Sequence, residues 1–390
     1  VPNLRFPEFQ GEWEEHYLSD YLDFKNGLNP KPDKFGKGIK FISVMDILNN
    51  AIITNDCIRA SVDVSEEELQ IFCVENGDML FQRSSETLED VGRANVYMDD
   101  KPAVFGGFVI RGKKKAEYNP LFFRYLLASP FARKKIIPMG AGAQHFNIGQ
   151  EGLNRVKLHF ASLDEQKKIA KILSLLDERI ATQSKIIDKL QTLIRGISNK
   201  LLNTDYGKKT RLGDILNECS ERTKVNNQYE VLSSTVNGLF SQREYFTKDI
   251  ASENNIGYKI LRLHDVVLSP QNLWMGNINY NDKFEIGIVS PSYKIFSIVD
   301  GYDKKYVSAL LKTHRALYNY SLVSEQGASV VRRNLNSEAF EQLTFIIPPI
   351  ANQRAIGYTI SLLRYRLEIE NMLKVTYLSQ KQYLLRQMFI

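Results

Sequence analysis

Apolar residues fall into two long stretches of helical spacing, separated by segments with short, irregular apolar runs. After Ala161-Ser162 they recur at Ile169, Leu173, Leu176, Ile180, Ile187, Leu190, Ile194, Ile197 and Leu201. From Leu173 the steps alternate between three and four, with Gln183 as the polar interruption. That alternation is a coiled-coil seam rather than the broad stripe of a helix lying on a core. Ser162, with Glu165 three positions on, predicts a capping box at its start. The second stretch follows Pro348-Pro349. Its seam runs through Ile356, Ile360, Leu363 and Leu367, then less regularly through Leu373 or Lys374, Tyr377, Leu384 and Met388. At about 1.5 Å per residue, roughly 40 residues make a rod of about 60 Å.

The intervening segments read as α+β. Short strands are expected at 39–44, 78–81 and 104–110, and a helix at 120–127 that recurs at 304–311. Positions Asn147 to Ile180 align without a gap on Asn334 to Leu367 at a constant shift of 187. Asn147/Asn334, Gln166/Gln353, Ile169/Ile356, Leu176/Leu363 and Arg179/Arg366 match across it. A nearby shift of 184 pairs Tyr118-Asn119 with Tyr302-Asp303. The chain therefore reads as a tandem repeat with four segments: a globular unit at 1–160, a long helix at 161–205, a second globular unit at 206–347 and a second long helix at 348–390. Two related units, each ending in a helix, suggest a pseudo-two-fold arrangement with antiparallel helices and a globular unit at either end.

Composition narrows the class only a little. Hydrophobic residues make up 43% and charged residues 25% of the 390, as in an ordinary folded protein. No apolar run is long enough for a transmembrane helix, and residues 1–5 show no apolar signal core. Cys57, Cys73 and Cys219 lie in no ligand spacing, which speaks against a disulfide framework and a zinc site and fits a reducing cytoplasm. The net charge of +6 permits nucleic-acid binding without requiring it.

The chemistry of catalysis is sparse. Ser290-Pro291-Ser292-Tyr293 comes nearest to an adenine-methyltransferase motif and lacks its second proline. Gly140-Ala141-Gly142-Ala143 leads into Gln144-His145-Phe146-Asn147, not into a phosphate-binding helix, and no P-loop is present. Glu165-Gln166-Lys167 opens a helix, and the five histidines are scattered. No catalytic residue and no metal site is expected.

Polar and basic loops at matching points of both units are the stronger candidates. In the first unit they carry Gln82, Arg83, Ser84, Lys113, Lys114, Arg133, Lys134, Gln144, His145 and Asn147. In the second they carry Gln271, Asn272, Trp274, Tyr293, Ser329, Arg332, Arg333 and Asn334. Gln, Asn and Arg suit bidentate contacts to base edges, and Lys and Arg suit phosphates. A non-catalytic coiled-coil scaffold that binds proteins remains open on these residues alone.

Leu4-Arg5-Phe6-Pro7-Glu8-Phe9-Gln10-Gly11-Glu12-Trp13, Leu163-Asp164-Glu165-Gln166-Lys167-Lys168-Ile169-Ala170, Leu175-Leu176-Asp177 and Pro348-Pro349-Ile350-Ala351-Asn352-Gln353 resemble the specificity subunits of type I restriction-modification systems. The distal copy departs from that pattern at Ala351-Asn352 and Arg364-Tyr365. The resemblance implies two target-recognition domains separated by two antiparallel coiled-coil helices, together reading a bipartite site in double-stranded DNA. It implies two modification subunits using S-adenosylmethionine, restriction subunits using ATP and Mg2+, and no cofactor in this chain.

Overall fold

The computed structural model describes residues 1–245, 254–326 and 332–390. It divides into two compact units: residues 1–184 with 372–390, and residues 185–371. The sequence repeat suggested boundaries at the ends of the long helices. Both helices are instead shared: the first, Leu163–Leu202, and the second, Ile350–Gln387, each contribute one end to each unit.

Unit 1 is α+β. A four-stranded antiparallel sheet runs in the order 22–26, 109–114, 79–82, 94–96, with Phe81 opposite Ile110 and Gln82 opposite Val109. A three-stranded sheet joins Ser61–Val62, Phe35–Ile42 and Ala103–Phe105. The expected strand over 104–110 is therefore two strands, broken at Gly106-Gly107. A side chain at Gly27 would collide with the Gly106 carbonyl at 2.1 Å, so the backbones of these turns touch and only glycine fits. The expected strand over 39–44 likewise stops at Ile42, because Ser43 starts the helix Val44–Asn49; its backbone N–H and hydroxyl both donate to the Asp46 carboxylate at 2.7 Å.

The strand Glu14–Tyr17 pairs antiparallel with Lys157–Phe160, which leads the chain into the first long helix. Glu165 does not serve as the expected cap. It is buried, and both of its oxygens accept from the Arg5 guanidinium at 2.8 Å, a bidentate geometry that repays the burial of the charge. The opening segment around Arg5 is thereby fixed to the helix start. Trp13 packs edge-on against Phe122 and Phe389. Leu173, Leu384, Leu385 and Met388 complete that core. Within unit 1 the two helix ends run antiparallel: Lys381 pairs with Asp177, while Leu4 N–H donates to the Gln387 carbonyl beside the Arg5–Glu165 pair. Asp177 also accepts from Tyr125 Oη at 2.8 Å and lies 3.4 Å from Arg124. Burial, and then the Asp177 charge, push the Tyr125 hydroxyl well above its ordinary value.

Unit 2 repeats the scheme. Its four-stranded antiparallel sheet orders 216–219, 294–298, 266–268, 278–280. The strand Lys208–Arg211 pairs with Thr344–Ile347 as its counterpart does in unit 1. Leu202, Tyr306, Leu310, Tyr320, Phe340, Ile356 and Ile360 share one core.

The seam expected from spacing is visible in the burial. On the first helix Leu173, Leu176 and Ile187 are buried and Ile180, Leu190, Ile194 and Ile197 half-buried. On the second, positions 353, 356, 360, 363, 367, 370, 374, 377, 381, 384 and 388 are all buried or half-buried and follow a strict alternation of three and four, with 357, 361, 364, 369, 385 and 387 protected beside them. Ile360 and Leu384 are buried; Leu363, Leu367 and Tyr377 are half-buried. Lys374 takes the position that sequence left open between it and Leu373. The irregularity seen in sequence comes from polar residues in the seam, namely Glu370, Lys374 and Lys381.

The two units share one buried brace. Gln166 Oε1 accepts from Asn119 N–H at 2.9 Å, and its Nε2 donates to the Ala161 carbonyl at 2.9 Å. Gln353 does the same with Asp303 N–H at 3.0 Å and the Pro348 carbonyl at 2.9 Å. Leucine at either position would leave a buried N–H and a buried carbonyl unpaired, each costing about 1–3 kcal/mol. Gln353→Leu is expected to destabilise unit 2 by at least that much. Trp13 and Trp274, the chain's two tryptophans, lie in different units. Denaturation followed by Trp274 fluorescence in a Trp13→Phe background reads the effect, and an unmoved midpoint contradicts the brace.

Candidate nucleic-acid interface

In unit 1 the loops carrying Gln82, Arg83, Ser84 and Asn147 meet. The two-residue strand Ser84–Ser85 pairs with Phe146–Asn147, placing Asn147 opposite Ser84. Ser84 Oγ donates to Asn147 Oδ1, and Asn147 Nδ2 donates to the His145 carbonyl at 3.3 Å. The Arg83 carbonyl accepts from Ile148 N–H at 2.9 Å, while Arg83 Nη1 donates to the Gly107 carbonyl at 3.2 Å. Gln144, His145 and Asn147 are exposed around this contact, and Arg83 and Ser84 half-exposed. Gln82 is buried; its Nε2 donates to the Ser84 carbonyl at 2.9 Å and its Oε1 has no partner.

A groove of about 850 Å³ opens beside these residues. Gln82 and Ser84 line it, and sequence reasoning passed over others of its lining, among them Asn29, Met45, Glu86 and Phe108. Phe108 is 69% exposed and Met45 61%. The signal available was Gly106-Gly107, which turns Phe108 outward between two strands.

The remaining candidates of unit 1 lie elsewhere or are already engaged. Lys113 and Lys114 stand at the far end of the strand Val109–Lys114, four and five residues from the Val109 that faces Gln82, or about 13–17 Å along it. Lys113 pairs with Glu75 at 2.7 Å, and Lys114 lies over the Tyr118 ring. Arg133 turns inward: Nη2 donates to the carbonyls of Glu89 at 2.9 Å and Val91 at 2.6 Å. Burial, and then the neighbouring Arg93, push its guanidinium down to about 10. It supports the loop behind Ser84–Ser85 rather than facing solvent, whereas Lys134 next to it is exposed.

Unit 2 brings the corresponding loops together. The shift of 187 carries Asn147 to Asn334 and Ser84 to Gln271, and Arg333 N–H donates to the Gln271 carbonyl at 3.1 Å. Asn334 sits opposite Glu325 in the pair of strands Ser324–Gln326 and Arg333–Leu335. The Arg333 guanidinium lies 4.2 Å from the centre of the Trp274 ring. Asn272 N–H donates to the Ser269 carbonyl and its own carbonyl accepts from Met275 and Asn277, building the turn that holds Trp274. Lys312 fastens this turn from behind: Nζ donates to the Gly276 carbonyl at 2.8 Å. Burial, then the nearby Arg364, push that ammonium down to about 8. Gln271, Arg332 and Asn334 are exposed. Tyr293 is turned inward, its hydroxyl donating to the Ser234 carbonyl at 3.1 Å. Ser329 lies outside the described residues. Among the described residues no cluster of His, Cys, Asp and Glu could hold a metal ion, and no helix is long and apolar enough to cross a membrane.

Comparison with known proteins agrees with this geometry. The family model for the type I restriction modification DNA specificity domain matches residues 10–192. A protein of Methanocaldococcus jannaschii described as the type I restriction enzyme MjaX specificity subunit is 28% identical over 218 residues, covering 53% of this chain and 51% of that protein. The EcoKI specificity subunit of Escherichia coli is 23% identical over 188 residues, covering 47% and 39%. The match thus spans about half the length of these relatives or less. The solved S subunit of the type I restriction-modification system of M. genitalium shares the fold with a TM-score of 0.60 at 14% identity, covering 100% of this chain and 99% of that one. The domain match over residues 10–192 and the shared fold converge: the chain is similar to the specificity subunits of type I restriction-modification systems.

Proposed function

We propose that this chain is the DNA-recognition subunit of a type I restriction-modification complex, reading a bipartite duplex site with one half-site per unit and performing no chemistry itself. The observation that carries this reading is the repeated loop contact. In both units a polar segment after a sheet strand meets the segment just upstream of a long helix, at Ser84–Asn147 and at Gln271–Arg333. Two independent modules presenting Asn, Gln and Arg at the same place supply base-edge donors and acceptors, and joining them makes the second contact intramolecular. S-adenosylmethionine, ATP and Mg2+ then belong to two modification subunits and to restriction subunits.

Exposed apolar side chains on the long helices support the partner assignment. In unit 2, Tyr358, Leu362 and Tyr365 are 61%, 53% and 60% exposed; their spacing of four and three puts them on one helix face. In unit 1, Leu175 is 48% exposed and Met372 61%. Ordinary solvated helices do not keep such rows, and a protein partner covers them.

Two outcomes follow. Duplex binding by the full chain is expected to weaken steeply with salt, and Asn147→Ala to relax base discrimination in one half-site while leaving the other unchanged; Lys134→Ala is expected to weaken binding to all sequences and lower the salt slope by about one. Competition binding with single-base variants at two salt concentrations measures both. Salt-insensitive binding, or none, favours a protein-binding scaffold. Separately, Leu362→Glu with Tyr365→Glu is expected to abolish co-purification of the modification subunits while duplex binding stays intact. Retained assembly would move the partner surface elsewhere.

A further inference from the structure

We propose that Arg333 reads a guanine in the half-site bound by unit 2, with Trp274 holding its guanidinium in the reading plane. This rests on the DNA-recognition reading above and adds the base.

The backbone at Arg333 is fixed from two sides. Its N–H donates to the Gln271 carbonyl at 3.1 Å, and it pairs with Gln326 in the antiparallel ladder. The side chain is fixed as well. The guanidinium carbon lies 4.2 Å from the Trp274 ring centre, a distance at which cation and π-face attract. Nε is buried without a partner, and among the described residues no carboxylate forms an ion pair with this arginine. Hydrogen bonding to a ligand is therefore left to the terminal edge, where Nη1 and Nη2 offer parallel donors.

Only one base edge matches two parallel donors. Guanine presents O6 and N7, both acceptors, in the major groove. Adenine sets a donor beside its N7, cytosine offers its amino donor, and thymine offers one acceptor next to a methyl group. A phosphate would also accept from arginine, but phosphate contacts tolerate a mobile side chain. Stacking on an indole removes the freedom such a contact can use and sets the plane that base reading needs.

The repeat shows that this pair is particular to unit 2. At the shift of 187, Arg333 corresponds to Phe146 and Trp274 to Thr87. Phe146 occupies the same strand position in unit 1, where it is half-buried against the core. One backbone slot thus holds a packing residue in one unit and a stacked arginine in the other. The guanine contact belongs to one half-site, and the full site is asymmetric in its base chemistry.

The test is selection of duplexes from a randomised library by the full chain, followed by competition with single-base variants of the selected site. In one half-site a guanine is expected whose preference falls about 10- to 100-fold in Arg333→Lys, which keeps the charge and loses the fork. Trp274→Leu is expected to relax the same position and Trp274→Phe to relax it less. Replacing that guanine by 7-deazaguanine, which lacks the N7 acceptor, should weaken the wild type and leave Arg333→Lys unaffected. Unchanged preferences in the other half-site show that each variant is folded. A half-site with no such guanine overturns the proposal. So does an Arg333→Lys variant that keeps its preference, or an Arg333→Gln variant that weakens all sequences equally with a flatter salt dependence, the signature of a phosphate contact. Selection that yields no preferred sequence at all removes the DNA-reading assignment itself, and the guanine contact with it.

Discussion

Everything that presents the loops of either unit depends on where the long helices begin, and that is set by a buried amide. Gln166 and Gln353 each lie in the first turn of their helix, with both ends of the side chain paired to main chain. The carbonyl of each reaches the backbone N–H that opens a short helix, at Asn119 and at Asp303, and those residues also cap that helix: Asn119 Oδ1 accepts from Phe122 N–H and Asp303 Oδ1 from Tyr306 N–H. One side chain thereby ties together the long helix, the strand that feeds it and the short helix packed on the sheet. A buried polar group is tolerated only when satisfied, so the geometry admits little variation.

Around this shared brace the two units diverge in charge. Asp177 gathers Tyr125, Arg124 and Lys381 in unit 1. The matching residue of unit 2 is Arg364, where burial pushes the guanidinium down and the Asp282 charge opposes that shift. A carboxylate among cations in unit 1 is matched in unit 2 by a buried cation within the field of the Asp282 charge. The departure at Arg364-Tyr365 is thus a reversal of sign, and it leaves the backbone scheme intact. Arg333 at the position that Phe146 holds in unit 1 is the same kind of change: the repeat keeps the strand position, and the side chain differs, packed against the core in one unit and stacked on Trp274 in the other.

The division between what was legible in the sequence and what was not follows the range of the forces. The seam could be read as far as apolar residues filled it, because helical periodicity is local. It faded where Glu370, Lys374 and Lys381 take seam positions, since a charge reads as solvent-facing until its partner is known. The repeat was legible because matching residues recur at one constant shift; that the loops meet at Ser84–Asn147 and at Gln271–Arg333 came only with the fold. The seam alternation of the first helix, the α+β content and the repeat were therefore determined by the sequence alone.

Tertiary structure decided what each polar residue does. Lys113 and Lys114 looked as promising as Gln82, yet strand register puts them at the opposite end of the sheet. Arg133 and Tyr293 looked like reading residues, and both are spent on backbone carbonyls inside the fold. Glu165 looked like a helix cap and is the buried partner of Arg5, 160 residues away. Phe108, inside a run expected to be one strand, stands exposed on the turn between two strands. In each case the deciding partner is distant in sequence, and a donor, acceptor or charge is committed only when folding brings that partner within hydrogen-bonding distance. Pattern fixes which face of an element is apolar; packing alone fixes which polar groups remain exposed.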